Sequence, residues 1–474
     1  MAKRYRNKIG PEWRSGRDSA MIRNPFDGQV VGRVALATEE QCEEAIAGAA
    51  RIFEKTRRMA SHERARACFD VAGEISRRAE EISELITAEA GKPIQYSRAE
   101  VERAVQTFFL AGEEARRIGG EVTPLDLSAR TEGYLALTGR FPRGPLSAIT
   151  PFNFPLNLVA HKVAPALATG TPLILKPSRQ APLTALVLAE IVEEVGWPGE
   201  AFSVLYCEDG VAEKLVLDPR IKTFSFTGSD RVGWMLKENA PRKHVVLELG
   251  GDAAAIVAED ADLEWAVPRC AIGAFAYAGQ ICISIQRLFV ARKIHEEFLA
   301  RFLEHVGKLP VGNPKDPATV VGPVIEPAAA DRIQGWVSEA VEKGAKVLLE
   351  GKREGNLLWP TVLTDVSPET SLSCNEVFGP VVCVQAVDSL EEAIRLSNAS
   401  RYGLQAGVFT GDIRRAFQAF RNLEVGGVVV NDYPMFRVDN HPYGGVKDSG
   451  MGKEGVRPAI EELTDVKTLI LKTT

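Results

Sequence analysis

An alternation of short apolar runs with longer helical patterns, between residues 145 and 249, constrains the fold more than any other feature of the chain. The runs are Leu146–Thr150, Leu173–Lys176, Phe202–Leu205, Thr223–Thr227 and Val245–Leu249. Each run is too short for a helix, and amphipathic stretches lie between the runs. This pattern is typical of a parallel sheet covered by helices. A second alternation, from Ala253 to about Gly445, predicts a second sheet of the same kind.

Residues 38 to about 118 predict a layer of three amphipathic helices. Thr38 and Gln41 form a capping-box pattern at the start of the first helix. The second helix is expected to end at Gly91, and the third at Gly119-Gly120.

Two further segments have the character of exposed strands. Polarity nearly alternates over Arg130–Arg140, which predicts an exposed strand or hairpin. Residues Val466–Lys472 predict a short strand close to the end of the sequence.

Length and charge narrow the class of protein. A chain of 474 residues predicts two or three domains, and 45% hydrophobic with 25% charged residues is typical of a soluble globular protein. The net charge of -6 is spread out, which argues against nucleic acid as a partner. The basic start lacks the apolar core of a secretory signal, and no window is long and apolar enough for a membrane span.

The cysteines predict reduced thiols and a cytoplasmic location. They are Cys42, Cys68, Cys207, Cys270, Cys282, Cys374 and Cys383, an odd number without a CxxC pair. No HExxH arrangement is present, so no metal site is expected.

Unusual residues follow the predicted strands of the first sheet. The segments are Pro151–Pro155, Lys176–Ser178, Phe226–Ser229 and Glu248–Gly251. Ligands bind at the carboxyl ends of the strands in an open parallel sheet. Four candidate ligand-binding segments therefore meet at one edge.

These segments, with Gly279–Cys282, Glu376–Pro380 and the run Pro442–Gly450, resemble the aldehyde dehydrogenase superfamily over nearly the whole chain. The segments Asn157–Lys162 and Asn431–Asn440 look most like its lactaldehyde and non-phosphorylating glyceraldehyde-3-phosphate dehydrogenase branch. The resemblance implies oxidation of a small polar or anionic aldehyde to the acid with NAD or NADP.

The resemblance assigns four catalytic side chains. Cys282 would be the nucleophile, because a thiolate can add to a carbonyl and later leave. Asn153, with the Cys282 backbone N–H, would stabilise the oxyanion, and Glu248 would be the base that activates water. Lys162 joins this catalytic group. Each of these residues, taken alone, also has a purely structural interpretation, as an isolated cysteine, a turn asparagine or a strand-end glutamate. The combination of motifs favours catalysis.

Cofactor binding is also implied by the resemblance. The expected residues are Thr150, Pro151, Phe152, Lys176, Ser178, Arg179, Gly228, Ser229, Leu249, Glu376 and Phe378. Lys176 and Ser178 would bind the adenosine ribose, and Gly228-Ser229 would begin a helix that holds the pyrophosphate. Glu376 would bind the nicotinamide ribose, and Phe378 would pack near the nicotinamide ring.

Arg179 departs from the family pattern. Many members that use NAD have glutamate at this position to accept a bond from the ribose. An arginine suits a 2′-phosphate, so NADP is the expected cofactor, alone or alongside NAD. The alternative is an arginine that points into solvent.

Four residues are candidates for the substrate tunnel: Phe154, Arg103, Ile281 and Arg437. Arg437 could pair with an anionic group of the aldehyde, or with Asp432 or Asp439 of the protein itself. Ile281 stands where some relatives that act on a phosphorylated aldehyde carry a basic residue.

By resemblance, the fold class is α/β, with two open, largely parallel sheets, flanking helices and a small β oligomerisation arm. Residues 1–120 and 143–250 would form the cofactor-binding domain and 251–447 the catalytic domain. Residues 121–142 and 448–474 would form the arm of a homodimer or homotetramer.

Two alternative functions stay open. One is an enzyme that transfers the acyl group to coenzyme A, against which Glu248 counts; the other is a non-catalytic protein on the same fold. Gly450–Gly455 also matches GxGxxG, but no strand is predicted before it, so a loop is expected there.

Overall fold

The computed structural model describes residues 3–16 and 18–473, and it contains two large sheets. The strands in chain order are β1 Lys3–Tyr5, β2 Asn7–Ile9, β3 Glu12–Arg14, β4 Ser19–Arg23, β5 Val30–Ala35, β6 Val122–Pro124, β7 Tyr134–Pro142, β8 Leu146–Ile149, β9 Leu173–Lys176, β10 Phe202–Val204, β11 Thr223–Thr227, β12 His244–Glu248, β13 Ala254–Val257, β14 Arg287–Ala291, β15 Lys346–Leu349, β16 Arg353–Glu354, β17 Leu357–Leu358, β18 Thr361–Thr364, β19 Val381–Val387, β20 Tyr402–Gly403, β21 Gln405–Phe409, β22 Gly427–Val430, β23 Val446–Lys447, β24 Gly450–Met451 and β25 Thr464–Lys472.

The helices cover both sheets. They are α1 Glu39–Thr56, α2 Ser61–Arg77, α3 Ala79–Ala90, α4 Ile94–Ala115, α5 Asn157–Thr169, α6 Leu183–Glu194, α7 Asp209–Leu217, α8 Asp230–Asn239, α9 Leu263–Phe275, α10 His295–Gly307, α11 Pro327–Glu342, α12 Ser371–Cys374, α13 Leu390–Asn398, α14 Ile413–Asn422 and α15 Val456–Glu462. None of these helices is long and apolar enough to cross a membrane, within the part of the chain that the structure describes.

The first sheet has the strand order β24-β12-β11-β8-β9-β10-β2-β3. Strands β8 to β12 are parallel to their neighbours, whereas β24 and β2 pair antiparallel at either side. The chain runs outward from β8 to β10 and then returns to place β11 on the other side of β8. This reversal opens a crevice at the carboxyl ends of β8 and β11, where such sheets bind ligands.

The second sheet has the order β15-β18-β19-β14-β13-β21-β22, and only β15 pairs antiparallel. Each sheet packs its apolar face against buried helices. Helix α5 is buried along its entire length because it lies between the first sheet and the layer of α2 and α4. These two parallel, helix-covered sheets confirm the predicted fold class.

Residues 39–115 form four helices, so the prediction of three was wrong. The capping box at Thr38 and the helix end at Gly91 are present as expected. Arg78, however, separates α2 from α3 with ψ at 17°, although no glycine or proline marks this position. The last helix of the layer ends at Ala115, before the two glycines that were expected to end it.

A third, smaller sheet joins distant parts of the chain. Strand β25 pairs antiparallel with the whole of β7, and β6 pairs with the other side of β7. Within the segment predicted to form the arm, β24 instead belongs to the first large sheet. The Gly450–Gly455 segment therefore begins as a short edge strand, where a loop was expected.

Candidate active site

The crevice at the end of the first sheet continues into a cavity of about 840 Å³ between the two sheets. Eleven predicted site residues line it: Pro151, Phe152, Asn153, Gly228, Ser229, Glu248, Leu249, Cys282, Glu376, Phe378 and Arg437. The cavity therefore joins the predicted nucleophile, base and oxyanion donor to part of the predicted cofactor site.

Cys282 lies on a tightly folded loop after helix α9. Tyr277 and Ala278 adopt left-handed backbone conformations, and a side chain at Gly279 would lie 2.3 Å from the carbonyl oxygen of Gly379. The Cys282 Sγ lies 3.6 Å from the Tyr443 hydroxyl. Burial raises the pKa of the thiol to about 12, and the Tyr443 contact lowers it only in part. The resting thiol is therefore protonated at neutral pH.

Asn153 lies in the loop between β8 and α5, next to the nucleophile loop. Its side-chain nitrogen donates to the carbonyl oxygen of Gln280 at 2.9 Å. An amide nitrogen carries two N–H groups, so a second one stays available for a ligand in the cavity. This arrangement suits a donor that is held before the substrate arrives.

Glu248 ends strand β12 and is buried beside the cavity. Neither carboxylate oxygen has a hydrogen-bond partner among the described residues. Burial raises the pKa of Glu248 well above 4.5, and the nearby carboxylate of Glu454 raises it further. A side chain at Gly444 would lie 2.8 Å from one Glu248 oxygen, so only glycine leaves room there. Glu248 therefore holds a proton more readily than an exposed carboxylate does, and it acts as a base only in its deprotonated form.

Glu454 is a buried site residue that the sequence did not reveal. The ammonium group of Lys162 contacts its carboxylate at 2.6 Å, and the Arg437 guanidinium contacts it at 3.0 Å. Lys162 is the leading cause that holds the pKa of Glu454 far below its ordinary value against burial. Glu454 lies inside the Gly450–Gly455 segment, whose only recognisable signal was a misleading glycine pattern.

Arg437 is almost fully buried, yet it lines the cavity. Its guanidinium carbon lies 3.7 Å from the centre of the Tyr443 ring, and its Nε lies 3.5 Å from Asp439. The predicted internal salt bridge with Asp439 is therefore present alongside access to the cavity. Asp439 also accepts from Arg103 at 2.9 Å, and Arg103 does not line the cavity.

Glu376 and Phe378 form the opposite wall of the cavity. The Gly251 N–H donates to Glu376 at 3.1 Å, and burial raises the pKa of Glu376 to about 8. Phe378 has a left-handed backbone with φ at 46°, and its ring meets Phe152 edge to face at 5.9 Å. These aromatic rings give a flat apolar wall that fits a planar ring of a cofactor.

The adenosine end of the predicted cofactor site lies beyond the cavity. Lys176 is 3.4 Å from Asp209, and Arg179 is 3.2 Å from Glu208. The Arg179 side chain is 53% exposed, so it faces solvent but also has an acidic partner. Ser178 donates to the side chain of Gln180 at 2.8 Å, and Thr150 is buried at the end of β8.

The first sheet fits a dinucleotide in two further respects. Ser229 is the N-cap of α8, so the first N–H groups of this helix are free to bind a phosphate. The hydroxyl of Thr227, one residue before the Gly228-Ser229 pair, is buried and lacks a partner among the described residues. A bound pyrophosphate would supply acceptors for such groups.

Three predicted substrate residues do not line the cavity. Phe154 packs its ring over the ammonium group of Lys92, and Ile281 packs in the apolar cluster that supports Cys282. Tyr443 and Glu454 do line it, although neither was singled out as a site residue. The proline–tyrosine–glycine run was quoted only as a family motif.

A doubly wound sheet, a helix start with free N–H groups at its edge and a buried thiol in the same cavity as a buried carboxylate are typical of a dinucleotide-dependent oxidoreductase. A model of the aldehyde dehydrogenase family matches residues 13–469. The chain belongs to the aldehyde dehydrogenase family, and it is an enzyme that uses NAD or NADP.

The chain is similar to 3-sulfolactaldehyde dehydrogenase from Priestia aryabhattai, with 42% identity over 99% of this chain and 98% of the relative. It is also similar to the structure of aldehyde dehydrogenase 21 from Physcomitrella patens in complex with succinate, with 42% identity and a TM-score of 0.98. That match covers 100% of this chain and 99% of the neighbour.

Another similar structure is glyceraldehyde-3-phosphate dehydrogenase GapN from Methanocaldococcus jannaschii, complexed with NADP. The identity is 38% and the TM-score is 0.92, over 96% of this chain and 100% of the neighbour. These similarities confirm the predicted family and branch.

Proposed function

We propose that the protein oxidises a short aldehyde with one negative charge to the carboxylic acid, through a thioester on Cys282. The observation that carries this proposal is the position of Arg437 in the wall of the cavity that contains Cys282 and Glu248. A fixed guanidinium at this place can bind an anionic group at the far end of a short substrate.

The ion-paired network around Arg437 has one surplus positive charge. Its cations are Lys162, Arg103 and Arg437, and its anions are Glu454 and Asp439. His161 lies next to this network, with its Nε2 at 3.0 Å from Asp439, and burial and Arg437 lower its pKa although Asp439 opposes them. One net positive charge matches a carboxylate or a sulfonate better than a doubly charged phosphate. The sulfolactaldehyde dehydrogenase and the succinate complex among the similar proteins support this choice.

Each side chain of the site has a separate role in the proposed oxidation. The Cys282 thiol first loses its proton to solvent, and the thiolate then adds to the aldehyde carbon; the Asn153 amide and the Cys282 N–H stabilise the oxygen anion that forms. The nicotinamide cofactor, which Gly228, Ser229 and Glu376 would hold, would supply the hydride acceptor for the oxidation. Glu248 then takes a proton from a water molecule that attacks the thioester, and the Cys282 sulfur leaves as the acid is released. Lys162 keeps Glu454 ionised beside Glu248.

The presence of Glu248 favours water over coenzyme A as the acyl acceptor. A product assay with and without coenzyme A separates the two. The free acid should form at the same rate in both, and an acyl-coenzyme A product would contradict hydrolysis.

Replacement of Arg437 by alanine should change the choice of substrate. We expect kcat/KM for succinic semialdehyde to fall about 10- to 100-fold, because a hydrogen bond to a charged group is lost. The value for propanal, which lacks the charge, should change much less. Steady-state kinetics with both aldehydes provide the measurement.

The control is Arg269→Ala, since Arg269 also forms an ion pair, with Asp432, but does not line the cavity. It should leave the ratio of the two substrates unchanged. An equal loss for both aldehydes in Arg437→Ala would show that Arg437 only holds the site together.

We further propose that NADP is preferred, or used alongside NAD, because the exposed guanidinium of Arg179 can bind a 2′-phosphate. Arg179→Glu should lower the ratio of kcat/KM for NADP to that for NAD by about 10- to 100-fold. Glu208→Gln, which removes the nearer of the two acidic partners of Arg179 and leaves Asp209 at 3.9 Å, should raise the ratio. An unchanged ratio in Arg179→Glu contradicts this preference.

A homodimer or homotetramer is proposed from the exposed apolar side chains of β25. Val466, Leu469 and Ile470 are each more than half exposed, although they lie on a strand of nine residues. A second copy of the chain would cover this edge. Light scattering should give a multiple of the single-chain mass, and a monomer would contradict the proposal.

A cytoplasmic location is proposed because the mechanism needs Cys282 as a free thiol, and reducing compartments keep thiols free. All seven cysteines are free in the structure. Cell fractionation tests this location, and recovery of the protein in an exported fraction contradicts it.

A further inference from the structure

The loop that carries Asn153 is held by a buried ion pair that no catalytic step uses. Lys92 lies between α3 and α4, and its ammonium group donates to Glu100 at 2.7 Å. Both side chains are almost completely buried, with 1% and 0% exposed. An ion pair taken out of water in this way costs free energy, so its partners and geometry call for an explanation.

The ammonium group of Lys92 is bound in three directions. Besides Glu100, it donates to the backbone carbonyl oxygen of Asn153 at 3.0 Å. It also lies 3.3 Å from the centre of the Phe154 ring, a favourable contact of a cation with an aromatic face. The Asn153 carbonyl and the Phe154 ring belong to the loop, and Glu100 binds its far end. Lys92 therefore fixes the main chain at Asn153, whose side chain would stabilise the oxyanion.

Glu100 holds the other end of the same loop. One of its carboxylate oxygens accepts from the backbone N–H groups of Leu156 and Asn157, at 2.8 and 2.9 Å. These residues begin helix α5, which also carries Lys162. The pair therefore clamps residues 153 to 157 from both sides.

The local sequence explains how Lys92 comes to point inward. Gly91 ends α3 with a left-handed conformation, and a side chain there would lie 2.7 Å from Pro323. Pro93 is the N-cap of α4, and a residue before proline is biased toward extended conformations. Glycine and proline on either side thus fix the backbone at Lys92.

We propose that Lys92 and Glu100 are a positioning pair, which aims the Asn153 amide at the oxyanion by holding its main chain. This inference rests on the proposed role of Asn153. The hydrogen bond from the Asn153 amide to the substrate oxygen gains strength only as the oxyanion develops. A small displacement of the amide weakens this bond. Lys92 also approaches the loop of Cys282, 5.1 Å from the centre of the Tyr277 ring, so the reactivity of the thiol has to be measured separately.

Two reactions of Cys282 separate positioning from general damage to the site. Acylation by p-nitrophenyl acetate forms an oxyanion, whereas alkylation by iodoacetamide does not, and neither needs an aldehyde or a cofactor. Lys92→Met should slow acylation about 10- to 100-fold and leave alkylation within about twofold. Rates measured on Cys282→Ala are subtracted as the contribution of other thiols.

A double-mutant cycle adds the second readout. Asn153→Ala alone should slow acylation, and adding Lys92→Met to it should cause no further loss, because the donor to be aimed is gone. Glu100→Gln removes the charge of the other partner and should also slow acylation but not alkylation. This variant tests the pair even if Lys92→Met does not fold.

The matched control is Glu89→Gln. Glu89 is a buried carboxylate that accepts from the Leu183 and Thr184 N–H groups at the start of α6, away from the active-site loop. This variant should lower the melting temperature but not the acylation rate.

The possible failures are distinguishable. If Asn153→Ala does not slow acylation, the proposed oxyanion donor is wrong. If Asn153→Ala slows acylation but Lys92→Met and Glu100→Gln do not, or if they slow alkylation equally, the positioning pair is wrong.

Discussion

Replacement of Cys282 by alanine should lower kcat for aldehyde oxidation by about 10⁴-fold or more, because the described residues that line the cavity include no other thiol. Removal of a covalent nucleophile elsewhere causes losses of this order or greater. The substitution removes only the sulfur from the cavity, so binding of NADPH, measured by the fluorescence of this reduced cofactor, should persist. Steady-state production of the reduced cofactor gives the rate.

The control for this change is Cys374→Ala. Cys374 is the exposed cysteine of the chain, and it does not line the cavity. Its removal should leave kcat within about twofold of wild type, as for most surface substitutions. A Cys282→Ala enzyme with normal turnover would contradict covalent catalysis.

Replacement of Glu248 by glutamine should separate the two halves of the reaction. The first turnover produces the reduced cofactor before the base is needed, so a burst of about one equivalent per active site is expected. Later turnovers should slow by about 10²- to 10⁴-fold, the usual contribution of a general base. Stopped-flow absorbance of the reduced cofactor measures both phases.

The pH dependence of the slow phase supplies the control for Glu248. Burial and Glu454 raise the pKa of Glu248 well above 4.5, so the deprotonated base accumulates only as the pH rises through that raised pKa. Thioester hydrolysis in the wild type should therefore accelerate with pH, and Glu248→Gln should lose this acceleration. A variant that shows no burst, or retains the pH dependence, would assign hydrolysis to another base.

The first large sheet could be predicted because its buried strands are short apolar runs in the sequence and the candidate site residues follow them. Leu173–Lys176 and Thr223–Thr227 have the bounds that the sequence predicted. The break at Arg78 could not be predicted, since no residue there has a strong helix-ending preference and tertiary packing sets the angle between α2 and α3.

The candidate catalytic side chains could be predicted from motifs. The charged groups that shift their pKa values or form ion pairs with them could not. Glu454 approaches Glu248 because β24 pairs with β12, which brings together segments far apart in the chain. Likewise the pairing of Arg437 with Glu454 is found only in the folded molecule, whereas Asp439 was one of the two partners that the sequence suggested. Sequence periodicity has no information about such pairings, whereas the charge balance of the cavity depends on them.

The most direct test of the account is the mass of Glu248→Gln protein after one turnover with succinic semialdehyde and NADP. Slow hydrolysis should trap the acyl enzyme, so the mass of the intact chain should rise by one succinyl group. Peptide analysis should place that group on Cys282. An unmodified chain after the burst, or an acyl group on any other residue, would contradict a thioester mechanism on Cys282.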